Sequence, residues 1–163
     1  MKQLLIIWDS MTGGSKALAC AAAEGAEIQD SVTISLLHAD VAQASDMLAS
    51  DGYIFVFPEN LGAISGVMKA FFDRCYYPCL GQIEGRPYAL IVCAGSDGTN
   101  ATAQGERIGT GWRLRKVCDS LTVCTKAQTP AAILASKTIE QADLDVAMNT
   151  GTLLAAGLAA GIF

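Results

Sequence analysis

Hydrophobic positions along this chain alternate between short unbroken runs and longer stretches at helical spacing. Leu4-Leu5-Ile6-Ile7-Trp8 stops at Asp9 and predicts a buried strand, and an Ala-rich stretch from Lys16 to Glu24 predicts a helix stopped by Gly25. Val32-Thr33-Ile34-Ser35 alternates at period two before Leu36-Leu37, as a strand nearer a sheet edge does; Asp40 is placed to cap a short helix from Val41 to Leu48. Tyr53-Ile54-Phe55-Val56-Phe57, introduced by Asp51-Gly52 and ended by Pro58, predicts a central parallel strand buried on both faces. After a loop from Pro58 to Gly62, Ile64, Val67, Met68, Phe71, Phe72 and Cys75 share one face of a helix over 64–77.

The same alternation continues to the end of the chain. Tyr88 to Cys93 predicts another buried strand, Ala94 to Asn100 a Gly-rich loop, Ala101 to Cys118 a helix and Leu121 to Lys126 a further strand. Thr129-Pro130 opens an irregular stretch before a final helix from Ile139 to Ala160, where Gly151, Gly157 and the alanines permit close packing. Five strands alternating with helices predict an α/β fold, a three-layer doubly wound parallel sheet formed by residues 1–163 as one domain. In such sheets ligands lie beyond the carboxyl ends of the strands, and the three Gly-rich loops follow the first, third and fourth strands at that one edge.

The first of these loops, Ser10-Met11-Thr12-Gly13-Gly14-Ser15, joins a strand to a helix N-terminus. Unpaired N–H groups, the positive end of the helix dipole, flexible glycines and hydroxyl donors together suit a terminal phosphate. An ordinary strand-to-helix turn uses the same residue types. Gly14-Ser15-Lys16 lacks the glycine-lysine-hydroxyl ending of a triphosphate loop, and no G-x-G-x-x-G follows Trp8, so a mononucleotide phosphate fits better than a triphosphate or a dinucleotide.

Composition narrows the classes. With 52% apolar and 17% charged residues among 163, the chain is not a disordered polypeptide, and its net charge of −5 argues against nucleic-acid or anionic-membrane partners. The six cysteines are scattered, Cys75-x-x-x-Cys79 being the one close pair, so zinc-ribbon and iron–sulfur spacings are absent and reduced thiols are expected. The apolar run after Met1-Lys2 is too short for a signal peptide and the tail from Leu153 to Phe163 too short to span a bilayer. A soluble, cytoplasmic protein is expected.

With the three loops in place, the chain resembles the flavodoxin-like superfamily, and more narrowly its NADPH-dependent FMN reductase and NAD(P)H:quinone reductase branch. The residues that carry the resemblance are the loop Ser10 to Ser15, the stretch Pro58-Glu59-Asn60-Leu61-Gly62 through Lys69-Ala70-Phe71-Phe72-Asp73-Arg74, and Ala94-Gly95-Ser96-Asp97-Gly98. The resemblance implies sheet order 2-1-3-4-5 and an FMN cofactor. Its phosphate would be held by Ser10, Met11, Thr12, Gly13, Gly14 and Ser15. Its ring would lie along Pro58, Glu59, Asn60, Leu61 and Gly62, and Ala94, Gly95, Ser96, Asp97 and Gly98 would close the other side. It further implies NADPH or NADH as electron donor, a quinone, free flavin or similar small molecule as acceptor, and a homo-oligomer. The flavin carries the chemistry, so no catalytic side chain and no metal are expected.

The chain departs from electron-carrying flavodoxins in having no aromatic residue in the second and third loops, where Leu61 and Ser96-Asp97 stand. An open ring face leaves room for a nicotinamide or quinone and favours an oxidoreductase; an electron carrier without its own NAD(P)H activity, or a flavin-free interaction module, are the alternatives.

Several other residues admit a functional and a structural reading. Glu59 and Asp97 would tune a flavin or, as the plainer alternative, be solvated or cap a helix. Asp73-Arg74 reads as an ion pair or helix-end contact. Arg107, Arg113, Arg115 and Lys116, read as one helix face, would attract a 2′-phosphate or simply be solvated. His38 reads as a loop residue, Trp8 and Trp112 as packing residues, and Tyr76-Tyr77 as a subunit contact or substrate rim. Asp9 and Lys126 invite comparison with a phosphoacceptor receiver domain, but Phe57 leads into Pro58-Glu59 where that domain needs an aspartate.

Overall fold

The central strands are buried on both faces. The computed structural model describes residues 1–163, with strands β1 (Lys2–Trp8), β2 (Val32–His38), β3 (Gly52–Asn60), β4 (Ala63–Ile64), β5 (Pro87–Ala94), β6 (Arg115–Lys116) and β7 (Leu121–Cys124). Helices are α1 (Gly14–Ala26), α2 (Ala44–Ala49), α3 (Gly66–Cys79), α4 (Thr99–Gly111), α5 (Pro130–Leu134) and α6 (Gln141–Ala160). The parallel sheet runs β2-β1-β3-β5, and β6 and β7 both pair with β5 on its outer side, so an interrupted strand takes the fifth position. With β4 set aside as a hairpin partner of β3, this is the flavodoxin-like order 2-1-3-4-5. No helix is long and apolar enough to cross a membrane.

Successive residues of the central strands point to opposite faces and build two cores. Leu5, Ile7, Tyr53, Phe55, Phe57, Tyr88 and Leu90 pack under α2, α3 and α4 with Phe71, Phe72 and Trp112. Leu4, Ile6, Ile54, Val56, Ala89 and Ile91 pack under α1 and α6 with Leu18, Ala22, Leu154 and Leu158.

On that second face α1 and α6 approach to backbone contact. A β-carbon on Gly151 would lie 1.8 Å from the Ala22 carbonyl oxygen, and one on Gly25 would lie 2.0 Å from that of Met148. Gly25 therefore serves interhelical packing and does not stop α1, which continues through Ala26.

Other boundaries shift for identifiable reasons. Asp40 does not cap α2; Gln43 and Asp46 form a reciprocal capping box that starts it at Ala44. Pro58 does not end β3, because the strand runs on to Asn60 and turns back through Leu61-Gly62 into β4. Ser65, whose hydroxyl accepts from the Met68 N–H, then starts α3 at Gly66. The helix after the third loop stops at Gly111, and Arg113 adopts a positive φ of 55° before β6, so of the four basic residues Arg107 alone lies on α4. The stretch after Thr129 contains α5, N-capped by the Thr129 hydroxyl.

Candidate functional site

Three chain reversals at the carboxyl edge of β1, β3 and β5 open onto one cleft of about 530 Å³. It lies beside the point where strand order reverses between β1 and β3, the position open α/β sheets use for ligands. Ser10, Met11, Thr12, Gly14 and Ser15, then Pro58 to Gly62, then Ala94, Gly95 and Ser96 all line it. Of the residues expected there, Gly13, Asp97 and Gly98 do not line it. Gly13 and Gly98 act one step back: with φ of 96° and 81° they are the left-handed N-caps of α1 and α4. The Asp97 carboxylate is turned to its own loop, accepting from the Thr99 hydroxyl at 2.5 Å.

The first loop folds on itself before presenting donors to the cleft. The Ser10 hydroxyl accepts from the Gly13 N–H at 3.0 Å, closing the turn. The first N–H groups of α1 have no intrahelical partner, which leaves a partial positive charge at the cleft floor. Ser15, in that first turn, is 1% exposed, and its Oγ is a buried side-chain oxygen with no hydrogen-bond partner. A buried hydroxyl is rarely left orphaned, so this one calls for an acceptor from outside the protein. Gly14 is closely packed: a β-carbon there would sit 2.7 Å from Cys93 Sγ, so that thiol would have to move. An orphaned hydroxyl, free N–H groups and a glycine cradle are a donor set that fits a phosphate oxyanion.

The second loop, expected from the sequence as a loop from Pro58 to Gly62, is the tip of a hairpin between β3 and β4. Glu59 pairs with Ile64 and Asn60 with Ala63, and both central residues have positive φ, 52° at Leu61 and 70° at Gly62. That is the pattern of a type I′ turn, whose usual signature is Asn-Gly; leucine in a left-handed conformation costs about 1–2 kcal/mol. The strained Leu61 is fully exposed at the cleft mouth. Three hydrogen bonds join this hairpin to the third loop and the start of α4: the Glu59 carboxylate accepts from the Gly98 and Ala101 N–H groups at 3.1 and 3.2 Å, and the Asn100 amide donates to the Gly62 carbonyl. Glu59 is thus a cap on α4, reached across the cleft edge.

Cys93, Thr125, Ala127, Ile133, Leu134 and Lys137 also line the cleft, and sequence reasoning did not assign them. Cys93 is the last residue of a recognisable buried run, so counting one residue further into the strand would have found it. The others come from the segment after β7, where no periodicity points inward. Burial first, and then neighbouring Cys124, push the Cys93 thiol up to about 11, so it stays protonated and is no nucleophile at neutral pH. No lining residue is aromatic.

The remaining candidates sit elsewhere. Lys116 pairs with Glu106 at 2.7 Å, Arg113 with Glu84 at 3.1 Å, and Arg115 stacks on the Phe163 ring, so the basic residues form no joint phosphate site. Asp73 pairs with Lys69, while Arg74 donates to the Ala39 and Ala42 carbonyls at 2.6 and 2.8 Å and holds the chain before α2. His38 is the last residue of β2, not a loop residue; its ring lies edge-on to Trp8 and its Nε2 is 3.5 Å from the buried Asp9 carboxylate. Trp112 packs edge-to-face on Phe72 and Tyr77 is largely exposed.

A doubly wound sheet of this order, with a Gly-rich strand-to-helix turn after β1 and an open cleft across β3 and β5, defines a flavodoxin-like protein. The chain belongs to the family described as NADPH-dependent FMN reductase, which matches over residues 29–127. It is 38% identical over 94 residues to a flavodoxin of Aquifex aeolicus, a match covering 58% of this chain and 49% of that protein. The chain thus aligns with about half the length of that curated relative. In three dimensions it is similar to a flavodoxin from the domain Archaea (TM-score 0.80, 14% identity, 96% of this chain and 98% of the other). It is also similar to a flavodoxin, WrbA-like protein from Agrobacterium tumefaciens (TM-score 0.75, 17% identity, 99% of each chain). These two likenesses establish the shared fold.

Proposed function

We propose that this protein binds FMN in the cleft and uses it as an oxidoreductase, taking electrons from NADPH or NADH and delivering them to a quinone, a free flavin or a similar small acceptor. The observation that carries the reading is the unpartnered, buried Ser15 hydroxyl inside a glycine cradle, at the floor of a cleft wide enough for a ring system. Ser10, Thr12, Gly14 and Ser15 would hold the phosphate through N–H and hydroxyl donors. Pro58 to Gly62 and Ala94 to Ser96 would hold the ring system. FMN supplies the electron transfer when bound.

The chain's own contribution is orientation and access. Glu59 ties the second loop to the third, fixing the cleft width, and its carboxylate is occupied by two N–H donors. With no aromatic side chain in the lining, a bound flavin would leave room for a nicotinamide or quinone to approach to the roughly 3–3.5 Å that hydride transfer needs. A second reading, an electron carrier without NAD(P)H activity, is favoured by the flavodoxin name of the Aquifex aeolicus relative.

Anaerobic addition of NADPH or NADH to the FMN-loaded protein separates the two. Bleaching of the visible flavin band, followed by recovery on adding a quinone, supports the reductase. An unchanged band with both nicotinamides removes it in favour of the carrier.

A further inference from the structure

The segment from Thr125 to Lys137 belongs to none of the three loops, and beyond Ala127 it lies outside the span over which the family matches. It carries α5, a helix with no buried residue. Ile133 and Leu134 on this helix are 53% and 79% exposed, and both line the cleft. Two large aliphatic side chains left in water at the edge of a ligand cleft have a burial energy still to be realised.

Hydrogen bonds, not packing, hold α5 in place. The Thr129 hydroxyl caps its N-terminus, accepting from the Ala132 N–H at 3.2 Å. At its other end the Lys137 ammonium donates to the carbonyls of Ala132, Ile133 and Ala135 at 2.9, 2.9 and 2.5 Å. Its three protons match those three acceptors. The Lys137 backbone N–H meanwhile donates to the Thr12 carbonyl at 2.8 Å, in the middle of the phosphate cradle. One residue therefore joins the helix to the cradle.

We propose that α5 is a fourth wall of the cofactor site, with Ile133 and Leu134 closing on the apolar part of the bound ring system, and that Lys137 is the positioning residue that latches this wall to the phosphate loop. The proposal deepens the flavin reading above and rests on it. Because the ammonium is engaged by carbonyls, its charge serves the wall and not the phosphate. Lys137 consequently matters equally for a flavin with and without a phosphate group.

The test uses the full chain freed of flavin, titrated with FMN and separately with riboflavin by fluorescence quenching, alongside hydrogen–deuterium exchange over residues 129–138. In the wild type, FMN slows exchange of the α5 amides. Lys137→Met speeds exchange in the ligand-free protein, abolishes the slowing by FMN, and weakens both flavins by the same factor, about tenfold. Ile133→Ser/Leu134→Ser weakens both flavins equally while leaving ligand-free exchange near the wild-type rate. Loss of FMN binding with riboflavin unaffected in Lys137→Met overturns the proposal, since the lysine then serves the phosphate. Unchanged affinity for both flavins in either variant also overturns it. If the wild type takes up neither flavin, the preceding functional reading fails and the wall falls with it. Faster ligand-free exchange in Lys137→Met would then identify the lysine contacts as structural support for α5 alone.

Discussion

The two faces of the sheet are packed by opposite means. Under α3 and α4 the space is filled by rings: Phe55, Phe57, Phe71, Phe72, Tyr88 and Trp112 meet at centroid distances of 5.2–6.3 Å, many edge-to-face. On the other face α1 and α6 come together through alanines and through Gly25 and Gly151, each seated against a backbone carbonyl of its neighbour. Aromatic packing gives large apolar area with some latitude in helix position, whereas backbone contact fixes a helix axis closely. The proposed phosphate loop leads into the N-terminus of α1, on the face with the least latitude. If α1 holds the phosphate as proposed, small residues far from the site fix its position.

That contrast can be broken by mutation. Phe72→Ala has the largest expected effect, a loss of about 3–5 kcal/mol measured by urea unfolding, with flavin affinity of the folded fraction close to wild type. Gly151→Ala is expected to lose about 1–3 kcal/mol through overpacking and also to weaken flavin binding, because α1 must move to admit the methyl group. Equal effects of the two variants on affinity would contradict the division of labour.

Leu61→Gly sharpens the comparison at the hairpin. Relief of the left-handed leucine is expected to raise stability by up to about 1 kcal/mol in urea melts, while flavin dissociates faster because the exposed side chain at the cleft mouth is gone. A variant both less stable and unchanged in binding would contradict the assignment of strain to this position.

The smallest effect lies away from both faces. Hydrogen bonds from Lys116 and then Ser120 hold the Glu106 carboxyl below the usual carboxylate range, outweighing the opposing effect of partial burial. A depressed folded-state value means that its stabilisation is present above the unfolded value and lost as pH falls through the folded one. Glu106→Gln should therefore cost ~0.2–1 kcal/mol at neutral pH, the scale of an exposed pair, and the deficit should shrink as the buffer is acidified below the carboxylate range. A deficit independent of pH in parallel urea melts would point to packing instead.

Much of this molecule is legible in its pattern. β1, β3 and β5 were readable because strands buried on both faces appear as unbroken apolar runs, and their order of alternation with helices specifies the sheet. The strand-to-helix turn after β1 is legible because its glycines and hydroxyls are local. What escaped depends on long-range contacts or on residues acting against type. A leucine in a left-handed turn hides the hairpin after Pro58, and an arginine in the same conformation hides the end of the α4 region. α5 has no apolar periodicity to show, since it is held by a lysine whose own N–H reaches back to Thr12.

Calorimetric titration of the flavin-free protein with FMN is the most direct test of the central claim, run beside Gly14→Val, which places branched carbon where a β-carbon already comes within 2.7 Å of Cys93 Sγ. The account predicts saturable binding of one FMN per chain in the wild type and its loss in Gly14→Val, with the variant still folded by circular dichroism. No saturable binding, or undiminished binding by a folded Gly14→Val, would contradict it.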